Sequence, residues 1–400
     1  MLRRDRVVPR ATDGDLALVN RHSRILLYSQ RALFGNFHYR LGLYEFEDII
    51  REVDSVDVLT PTPKPWFRYG ERLAMRFARG GNIGINPGIS RMKICQDYDM
   101  FFVVVQFPRD LMQLKYIKHW KERCKTSVCW LNEIWVPDIE HSQYYLNLLS
   151  QFDHVVLQWA GSIKPVSETI GKECVYLPYG IDTTLFAPYP QPQRTIDVYS
   201  IGRRSEDTHR ALLRLAWDNR IFYVFDTIVG DRVIDRHAHR LLVSSLTKRS
   251  RYFLVNPGKA DNPGETGGQI EFGNRFFEGA ASGTIMVGET PNTEYFRKAF
   301  DWKDAVVHLP FGSEDIAALI EELDKDPQRQ ETIRRNNVVQ SLRRHDWVYR
   351  WAEILRIAGL RPLPELEQRR TRLANLAIAV EHEPTPDQPA STAARRCQSE

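Results

Sequence analysis

Cysteine is scarce in this 400-residue sequence, which contains only five. Their number is odd, their spacing is irregular and no CxxC motif occurs, so the pattern indicates neither a disulfide framework nor a zinc site. A scattered set of this kind is typical of a reducing compartment, and we expect a cytoplasmic location. The cysteines are Cys95, Cys124, Cys129, Cys174 and Cys397.

Long apolar runs and a strong net charge are also missing. The longest plain apolar runs, such as residues 101–105, are far too short to span a bilayer, and we find no signal-peptide core. The net charge of +4 is too small to argue for a nucleic-acid partner, and we expect none. Short basic clusters, one of them at residues 369–372, leave a peripheral contact with an anionic membrane open.

Several motifs of well-known catalytic sites are absent. No Walker A, HExxH or GxSxG sequence occurs. A metal bound by a DxD pair needs that pair at the end of a buried strand, and none of the three DxD pairs is predicted there. They are Asp13/Asp15, Asp97/Asp99 and Asp324/Asp326. We therefore infer no metal site, and we expect no cofactor.

The sequence does contain a long alternation of apolar strand patterns and amphipathic helix patterns. Strands are predicted at 24–29, 56–59, 100–106, 126–131, 154–158 and 173–177. After a linker that begins at 178–182, strands are predicted at 196–201, 221–226, 251–256, 284–287 and 305–308. This alternation favours parallel sheets with helices on both faces. We predict an α/β fold of two Rossmann-like, doubly wound domains that face each other across a cleft.

Helical patterns fill the intervals and suggest the domain boundaries. They lie at 37–52, 68–79, 110–123, 139–150, 162–170, 209–218, 235–245, 313–323, 328–344 and 347–357. We expect a polar leader at 1–22, an N-terminal domain at 23–180 and a C-terminal domain at 181–345. A further helix is expected at 346–360, followed by a helical extension and a disordered tail at 361–400.

Residues 262–294 form a glycine-rich loop, a short helix and a buried strand. Glycines let the loop backbone approach a ligand closely. Asn274 is predicted to cap a helix at 275–282, and Gly283 follows it where a C′ glycine belongs. The start of such a helix offers free N–H groups and a positive dipole end to an anion. The loop glycines are Gly264, Gly267, Gly268 and Gly273.

A cation and a carboxylate lie on one face of this predicted helix. Arg275 and Glu278 are three residues apart, so their side chains are neighbours. A cation beside an anion site can meet phosphates, and a carboxylate accepts readily from two vicinal hydroxyls. The stretch therefore suits a sugar nucleotide.

Three segments, in order along the chain, resemble the group 1 glycosyltransferases with the GT-B fold, especially the spore-coat-like branch. YLPYGIDTTLFAP (176–188) resembles their interdomain segment, and EFGNRFFEGAASGTIMVGETPNTEYF (271–296) resembles their donor-site segment. HDWVYRWAEIL (345–355) resembles their final helix, which in the family crosses back to the N-terminal domain. The N-terminal half resembles the family in pattern more than in motif.

The resemblance implies a reaction. A sugar would pass from a nucleoside diphosphate sugar, bound by the C-terminal domain, to a hydroxyl of a glycan, lipid-linked or small-molecule acceptor at the N-terminal domain. Transfer would be metal-independent and retain the anomeric configuration. Two other functions stay open: a GT-B-type sugar-nucleotide epimerase, and a non-catalytic sugar-nucleotide-binding or assembly protein.

The resemblance also implies roles for residues of the C-terminal domain. Glu278 matches the ribose-binding Glu of the family, although a surface Glu would also suit a helix start. Glu271 falls one residue late for the Glu that binds the donor hexose, so it either serves from a shifted loop or is a solvated carboxylate. Backbone N–H groups for the diphosphate would come from Gly273, Asn274 and Arg275. Basic side chains for the diphosphate would be Arg203, Arg204 and Lys259, each with a plain surface cation as the alternative.

Three residues of the N-terminal half complete the candidate set. Gly35 lies at the tip of the loop after the first strand, where the family has a glycine loop that approaches the donor phosphate. His38 either assists the acceptor or is structural. Glu133 follows the strand at 126–131 and would suit either a base in an inverting enzyme or the cap of a loop.

Overall fold

A computed structural model describes residues 23–189, 192–226 and 232–383. The predicted leader at 1–22 and most of the predicted disordered tail lie outside these residues. The chain forms two compact units. The first holds the residues up to Leu177 together with Ile354–Arg361, and the second holds Pro178–Glu353 and the residues from Pro362 onward. Each unit is built around a parallel sheet, which confirms the predicted α/β class.

The first unit has a six-stranded parallel sheet and a separate two-stranded one. Its strands are β1 (Ile25–Tyr28), β2 (Val56–Leu59), β3 (Met92–Lys93), β4 (Tyr98–Val105), β5 (Ile117–Lys118), β6 (Cys124–Leu131), β7 (His154–Leu157) and β8 (Cys174–Tyr176). The main sheet has the order β2-β1-β4-β6-β7-β8, and β3 pairs with β5. The central strands β1, β4, β6 and β7 of the main sheet are mostly apolar and buried, as expected when both faces of a parallel sheet are covered. The strand order reverses at β1, between β2 and β4, and such a switch point is where doubly wound sheets bind ligands.

Six α-helices accompany this sheet, and one helix prediction is wrong. They are α1 (Arg31–Phe34), α2 (Leu41–Val53), α3 (Phe67–Gly81), α4 (Trp120–Arg123), α5 (Gln143–Leu149) and α6 (Ile163–Ile170). The helix predicted at 110–123 is instead a 3₁₀ helix over Pro108–Tyr116, then β5, then α4. Asp110 Oδ2 accepts from the Gln106 and Phe107 amides at 3.1 and 2.9 Å, which holds the tight first turn. Pairing of Ile117 with Met92 keeps the end of the segment extended.

The second unit has a five-stranded parallel sheet. Its strands are β9 (Ile196–Ser200), β10 (Tyr223–Phe225), β11 (Ser250–Val255), β12 (Ile285–Gly288) and β13 (Val307–His308), in the order β10-β9-β11-β12-β13. The order reverses at β9, between β10 and β11. The helices are α7 (Thr183–Phe186), α8 (Glu206–Trp217), α9 (Arg236–Lys248), α10 (Asn274–Ala281), α11 (Glu294–Ala299), α12 (Ile316–Asp324), α13 (Pro327–Arg344), α14 (Trp347–Ile357) and α15 (Pro364–Glu381).

Helix α10 lies against this sheet and differs from its prediction at one end. Its N-cap is Gly273, not Asn274, because Asn274 is already helical and its side-chain amide points to Glu278. No side chain in the described part of the chain caps the helix. Gly283 follows the helix with φ +61°, which confirms the predicted C′ glycine. Helix and sheet approach closely at Gly279, where an added Cβ would lie 2.8 Å from the Met286 side chain.

The last two helices are separate. α14 has the predicted bounds, and its residues from Ile354 onward belong to the first unit. The expected helical continuation starts only at Pro364 as α15, after a turn that contains Gly359 with φ +69°. Buried Asp346 fixes the start of α14, because its carboxylate accepts from Arg369 Nε and Nη2 at 2.9 and 2.8 Å and from Thr183 Oγ1 at 2.7 Å. These hydrogen bonds link α7, α14 and α15 within the second unit.

Candidate functional site

The candidate site lies at the carboxyl edge of the second unit's sheet. The loop after β9 begins at Ile201, the long loop after β11 runs from Asn256 to Gly273, and α10 starts where that loop ends. Since β9 and β11 are neighbours at the point where the strand order reverses, their loops diverge and leave room for a ligand.

Glu278 is the centre of the site, and it is completely buried. Arg240 Nη1 of α9 donates to its Oε1 at 2.5 Å, and Arg275 Nη1 of α10 donates to its Oε2 at 2.5 Å. Asn274 Nδ2 lies 3.4 Å from Oε1. The predicted Arg275–Glu278 neighbourhood is therefore present, with a second guanidinium added from another helix.

The charges of this cluster decide its protonation state. Burial alone raises the pKa of Glu278, but the attraction of Arg275 and Arg240 outweighs it and lowers the pKa below its ordinary value. Glu278 is thus ionised at neutral pH, and one anion faces two cations. The side chain of Arg275 is 24% exposed and that of Arg240 is 11% exposed. Arg275 is therefore the cation of this cluster that is more accessible to a ligand.

Arg240 is a functional candidate that the sequence motifs do not identify. It lies on the same face of α9 as buried Val243, Ser244 and Thr247, at the helical spacings of three, four and seven residues. An arginine on the buried face of a predicted helix implies a buried carboxylate partner, since an unpaired charge there is costly. The position of Arg240 on this face can be read from the sequence, but it does not identify the carboxylate that pairs with it.

Arg275 also borders the loop after β9. A Cβ added at Gly202 would lie 3.6 Å from Arg275 Nη2, so the guanidinium passes next to this glycine. Gly202 has φ +82°, a conformation that favours glycine, and its amide donates to Asp226 Oδ1 at 3.0 Å. The turn that exposes the end of β9 is therefore fixed beside the start of α10.

The three predicted basic candidates all have carboxylate partners. Arg203 Nη1 lies 3.1 Å from Asp261, and Lys259 Nζ lies 3.0 Å from Glu265. Arg204 Nη2 donates to the Asp226 carboxylate at 2.5 Å. Arg204 Nη1 is buried and has no hydrogen-bond partner among the residues that the structure describes. Arg204 therefore retains one unused donor at the carboxyl end of β9.

Glu271 and Gly273 shape the loop before α10. Glu271 is 3% exposed, and its Oε1 accepts from Gln269 Nε2 at 2.8 Å while its backbone oxygen accepts from the Gly258 amide at 2.8 Å. Gly273 is extended, and an added Cβ there would meet no atom of the described residues within 4 Å. The start of α10 is thus open and free of a side-chain cap.

Gly35, His38 and Glu133 belong to the first unit. The expected loop with Gly35 at its tip is wrong: α1 fills it, and Gly35 has φ −56°, which any residue can adopt. His38 starts a 3₁₀ helix, and its buried Nδ1 has no hydrogen-bond partner within residues 23–189, 192–226 and 232–383. Glu133 accepts from Gln106 Nε2 and from Trp135 Nε1, each at 3.1 Å, so both of its oxygens bind neighbouring loop side chains.

The DxD aspartates occupy other positions in the fold. Asp97 and Asp99 pair with Arg123 and Lys125, at 3.1 and 2.8 Å. Asp326 caps α13 through the Arg329 amide. The described part of the chain brings together no group of three or more His, Cys, Asp or Glu that could hold a metal ion.

Comparisons with known proteins give one sequence match and several structural ones. Residues 191–356 match the family model described as glycosyl transferase-like. No curated protein matches the sequence. The structure is similar to that of Anabaena Alr3699/HepE in complex with UDP-glucose, with 14% identity and a TM-score of 0.47 over 90% of this chain and 100% of that chain.

Two further solved structures are similar at lower identity. An alpha-glucosyltransferase in complex with UDP-glucose and DNA containing an abasic site has 12% identity and a TM-score of 0.47 over 84% of this chain and 99% of that chain. The UDP-GlcNAc 2-epimerase from Methanocaldococcus jannaschii has 8% identity and a TM-score of 0.37 over 74% and 91%. At these values the structural likenesses carry no conclusion about activity.

Proposed function

We propose that this chain is a glycosyltransferase and that it binds its nucleoside diphosphate sugar at the carboxyl edge of the second unit's sheet. The match of residues 191–356 to the glycosyl transferase-like family model supports this proposal. One observation carries the proposal: the buried Glu278 carboxylate joins Arg275 and Arg240 beside the open start of α10. Buried ionised groups at the switch point of a doubly wound sheet are candidates for a ligand site.

The diphosphate is assigned to the positive groups around the start of α10. Arg275 is partly exposed, Arg204 has an unused buried donor, and Gly273 leaves the first amides of the helix uncapped. Guanidinium groups and helix-start amides both bind phosphate oxygens, and they stabilise the negative charge that grows as the diphosphate leaves. Lys259 and Arg203, on the adjacent loops, add positive charge.

The ribose is assigned to Glu278 through an exchange of partners. Both Glu278 oxygens are engaged in this structure, so a ribose contact requires that one guanidinium move. Arg275 is the more exposed of the two, and we assign the movement to it. When Arg275 turns to the diphosphate, Oε2 is released for the ribose hydroxyls, while Arg240 keeps the carboxylate ionised.

The remaining parts of the reaction are proposals of the same kind. The sugar passes to a hydroxyl of a glycan, lipid-linked or small-molecule acceptor, without a metal or cofactor and with retention. The arginines around Glu278 supply the positive charge that a metal would otherwise bring to the leaving group. Glu271 is proposed to contact the donor hexose, and His38 and Glu133 of the first unit to contact the acceptor.

A peripheral membrane contact is part of the proposal. No helix of the described residues is long and apolar enough to cross a bilayer. Helix α3, however, exposes three apolar side chains four residues apart, Tyr69, Leu73 and Phe77, with 74%, 38% and 43% of their surfaces accessible. An exposed apolar stripe beside arginines suits the surface of an anionic membrane at the cytoplasmic side.

A mass-spectrometric screen of nucleoside diphosphate sugars tests the function. Wild-type protein is expected to transfer or slowly hydrolyse one donor, and Glu278→Gln is expected to lower that rate by roughly tenfold or more. Arg210→Gln is the control, because Arg210 is an exposed residue of α8 whose ion pairs among the described residues are with Glu206 and Asp207 of its own helix. If folded Glu278→Gln protein turns over the donor as fast as the control, the assigned site is wrong.

A further inference from the structure

The first unit contains a cavity that the donor site does not use. Its volume is about 720 Å³, and all of its lining residues lie between Phe34 and Arg109, within the first unit. Cavities of this size accommodate a small ligand or one end of a larger one. Its lining is strongly positive, because it contains six arginines and a single carboxylate, Glu71. The arginines are Arg40, Arg68, Arg72, Arg76, Arg79 and Arg109.

Four of these arginines form a stripe along α3. Arg68, Arg72, Arg76 and Arg79 are spaced by four, four and three residues, so they lie on one face of the helix. Like charges at this spacing destabilise a helix. Within residues 23–189, 192–226 and 232–383, Arg72, Arg76 and Arg79 form no ion pair that would offset the repulsion. Folding does not require this destabilising arrangement. It is expected where a bound ligand supplies the negative charge that offsets the repulsion.

Arg40 lines the cavity and has an unsatisfied donor. It is 2% exposed and is held by Asp110, whose oxygens accept from Nη1 and Nη2 at 2.7 and 2.8 Å. Its buried Nε has no hydrogen-bond partner in the described part of the chain. A buried N–H without a partner is costly, so Nε is a preformed donor for a group that enters the cavity.

Aromatic rings form another part of the wall. The Arg40 guanidinium lies 4.4 Å from the centre of the Phe34 ring, and that of Arg68 lies 5.0 Å from the centre of the Phe37 ring. These cation–π contacts orient the two guanidiniums. The rings also give the cavity an apolar surface beside the charges, which a purely ionic site would lack.

We propose that this cavity binds a ligand with a phosphate or diphosphate group, the anion contacting the arginine stripe and Arg40. Asp110 neutralises Arg40, so five arginines face one carboxylate, more positive charge than a single carboxylate ligand would balance. Guanidinium groups bind phosphate oxygens in pairs of hydrogen bonds, which favours a phosphorylated group. If the ligand is the acceptor, an assignment that rests on the proposed function, this chain glycosylates a phosphate-bearing acceptor.

Isothermal titration with inorganic pyrophosphate, in the presence of a saturating nucleoside diphosphate, tests the site. The double variant Arg72→Gln/Arg76→Gln is expected to weaken pyrophosphate binding by roughly tenfold or more, since it removes two guanidiniums. The control is Arg51→Gln/Arg123→Gln, which makes the same charge change at exposed arginines of the same unit and is expected to bind within about twofold of wild type. The proposal is overturned if the two double variants bind alike, or if wild type binds no pyrophosphate up to about 10 mM.

Vesicles distinguish the two sources of such a phosphate. Phosphatidylcholine vesicles with and without phosphatidylglycerol are sedimented with each protein. Sedimentation that needs phosphatidylglycerol, is lost in Arg72→Gln/Arg76→Gln and is reversed by pyrophosphate supports the site with a lipid phosphate as its ligand. Pyrophosphate binding without sedimentation supports it with a soluble phosphate. Nucleotide binding is measured separately on the full chain and on its Arg275→Gln variant, so the donor assignment and this site can fail independently.

Discussion

Replacing Glu278 with glutamine removes the negative charge at the centre of the proposed donor site. The substitution keeps the size of the side chain, but it leaves Arg275 and Arg240 converging on a neutral amide. Both guanidiniums then lose a charge-assisted hydrogen bond of 2.5 Å, and they repel one another without an anion between them. We expect a large loss of stability in the second unit.

The magnitude follows from burial. Removing one partner of a buried ion pair costs about 3–5 kcal/mol. Arg275 is 24% exposed and can recover part of its solvation, whereas Arg240 is 11% exposed and recovers little. The expected loss is therefore near the lower end, about 3 kcal/mol in the free energy of unfolding.

Urea unfolding followed by circular dichroism measures this loss. Glu294→Gln is the control, because Glu294 pairs with Lys298 on the surface of α11 and its loss is expected to leave the urea midpoint nearly unchanged. In the double variant Glu278→Leu/Arg240→Met, the stability is expected to exceed that of Glu278→Leu alone, since the more deeply buried of the two unpaired cations is removed. Equal midpoints for Glu278→Gln and Glu294→Gln would refute the reasoning.

The same carboxylate contributes a pH dependence of known sign. The pKa of Glu278 is lowered in the folded chain from an ordinary value of 4.5. Its contribution to stability is therefore complete above pH 4.5 and is lost as the pH falls through the folded pKa. Glu278→Gln should lack this part of the acid-induced loss. If wild type and variant lose stability in parallel below pH 4.5, the carboxylate does not have the lowered pKa.

Three further predictions concern the second unit. Asp346→Asn should lower the urea midpoint by the equivalent of about 3 kcal/mol, because Arg369 loses its fully buried carboxylate partner and keeps only the more exposed Asp182, and an unchanged midpoint would contradict this. Burial and nearby arginines lower the pKa of His345, so the stability should fall as the pH drops below 6.5. His345→Gln should flatten this dependence of stability on pH, and an unaltered slope would contradict the prediction. Gly279→Val should lower stability by about 1–3 kcal/mol, because its Cβ would lie 2.8 Å from Met286, and a melting temperature equal to wild type would contradict this.

Local patterns in the sequence predict most of the fold, because burial in a parallel sheet demands continuous apolar strands. The strand predicted at 126–131 is β6, and the strand predicted at 284–287 is β12, shifted by one residue. The helix predicted at 110–123 fails because Asp110 folds its first turn tightly and Met92, distant in sequence, pairs with Ile117. Pairing between residues that are distant in sequence produces no local periodic pattern, so the sequence around Ile117 does not indicate it.

The candidate site was predictable only where its partners are close in sequence. Arg275 and Glu278 are three residues apart, and helical spacing alone places them together. Arg240 is 38 residues from Glu278, and no spacing rule connects them. Asn274 failed as a cap because the preceding glycine can also end the extended loop, and the Asn274 side chain points to Glu278, one turn further along the same helix.

In the proposed complex, the donor diphosphate binds Arg275 at the start of α10. Titrating wild type and Arg275→Gln with a panel of nucleoside diphosphates and with the matching nucleosides tests it most directly. We predict that Arg275→Gln weakens the best nucleoside diphosphate by roughly tenfold or more and leaves its nucleoside within about twofold. Equal affinity of both proteins for every nucleoside diphosphate, with both folded, would contradict the account.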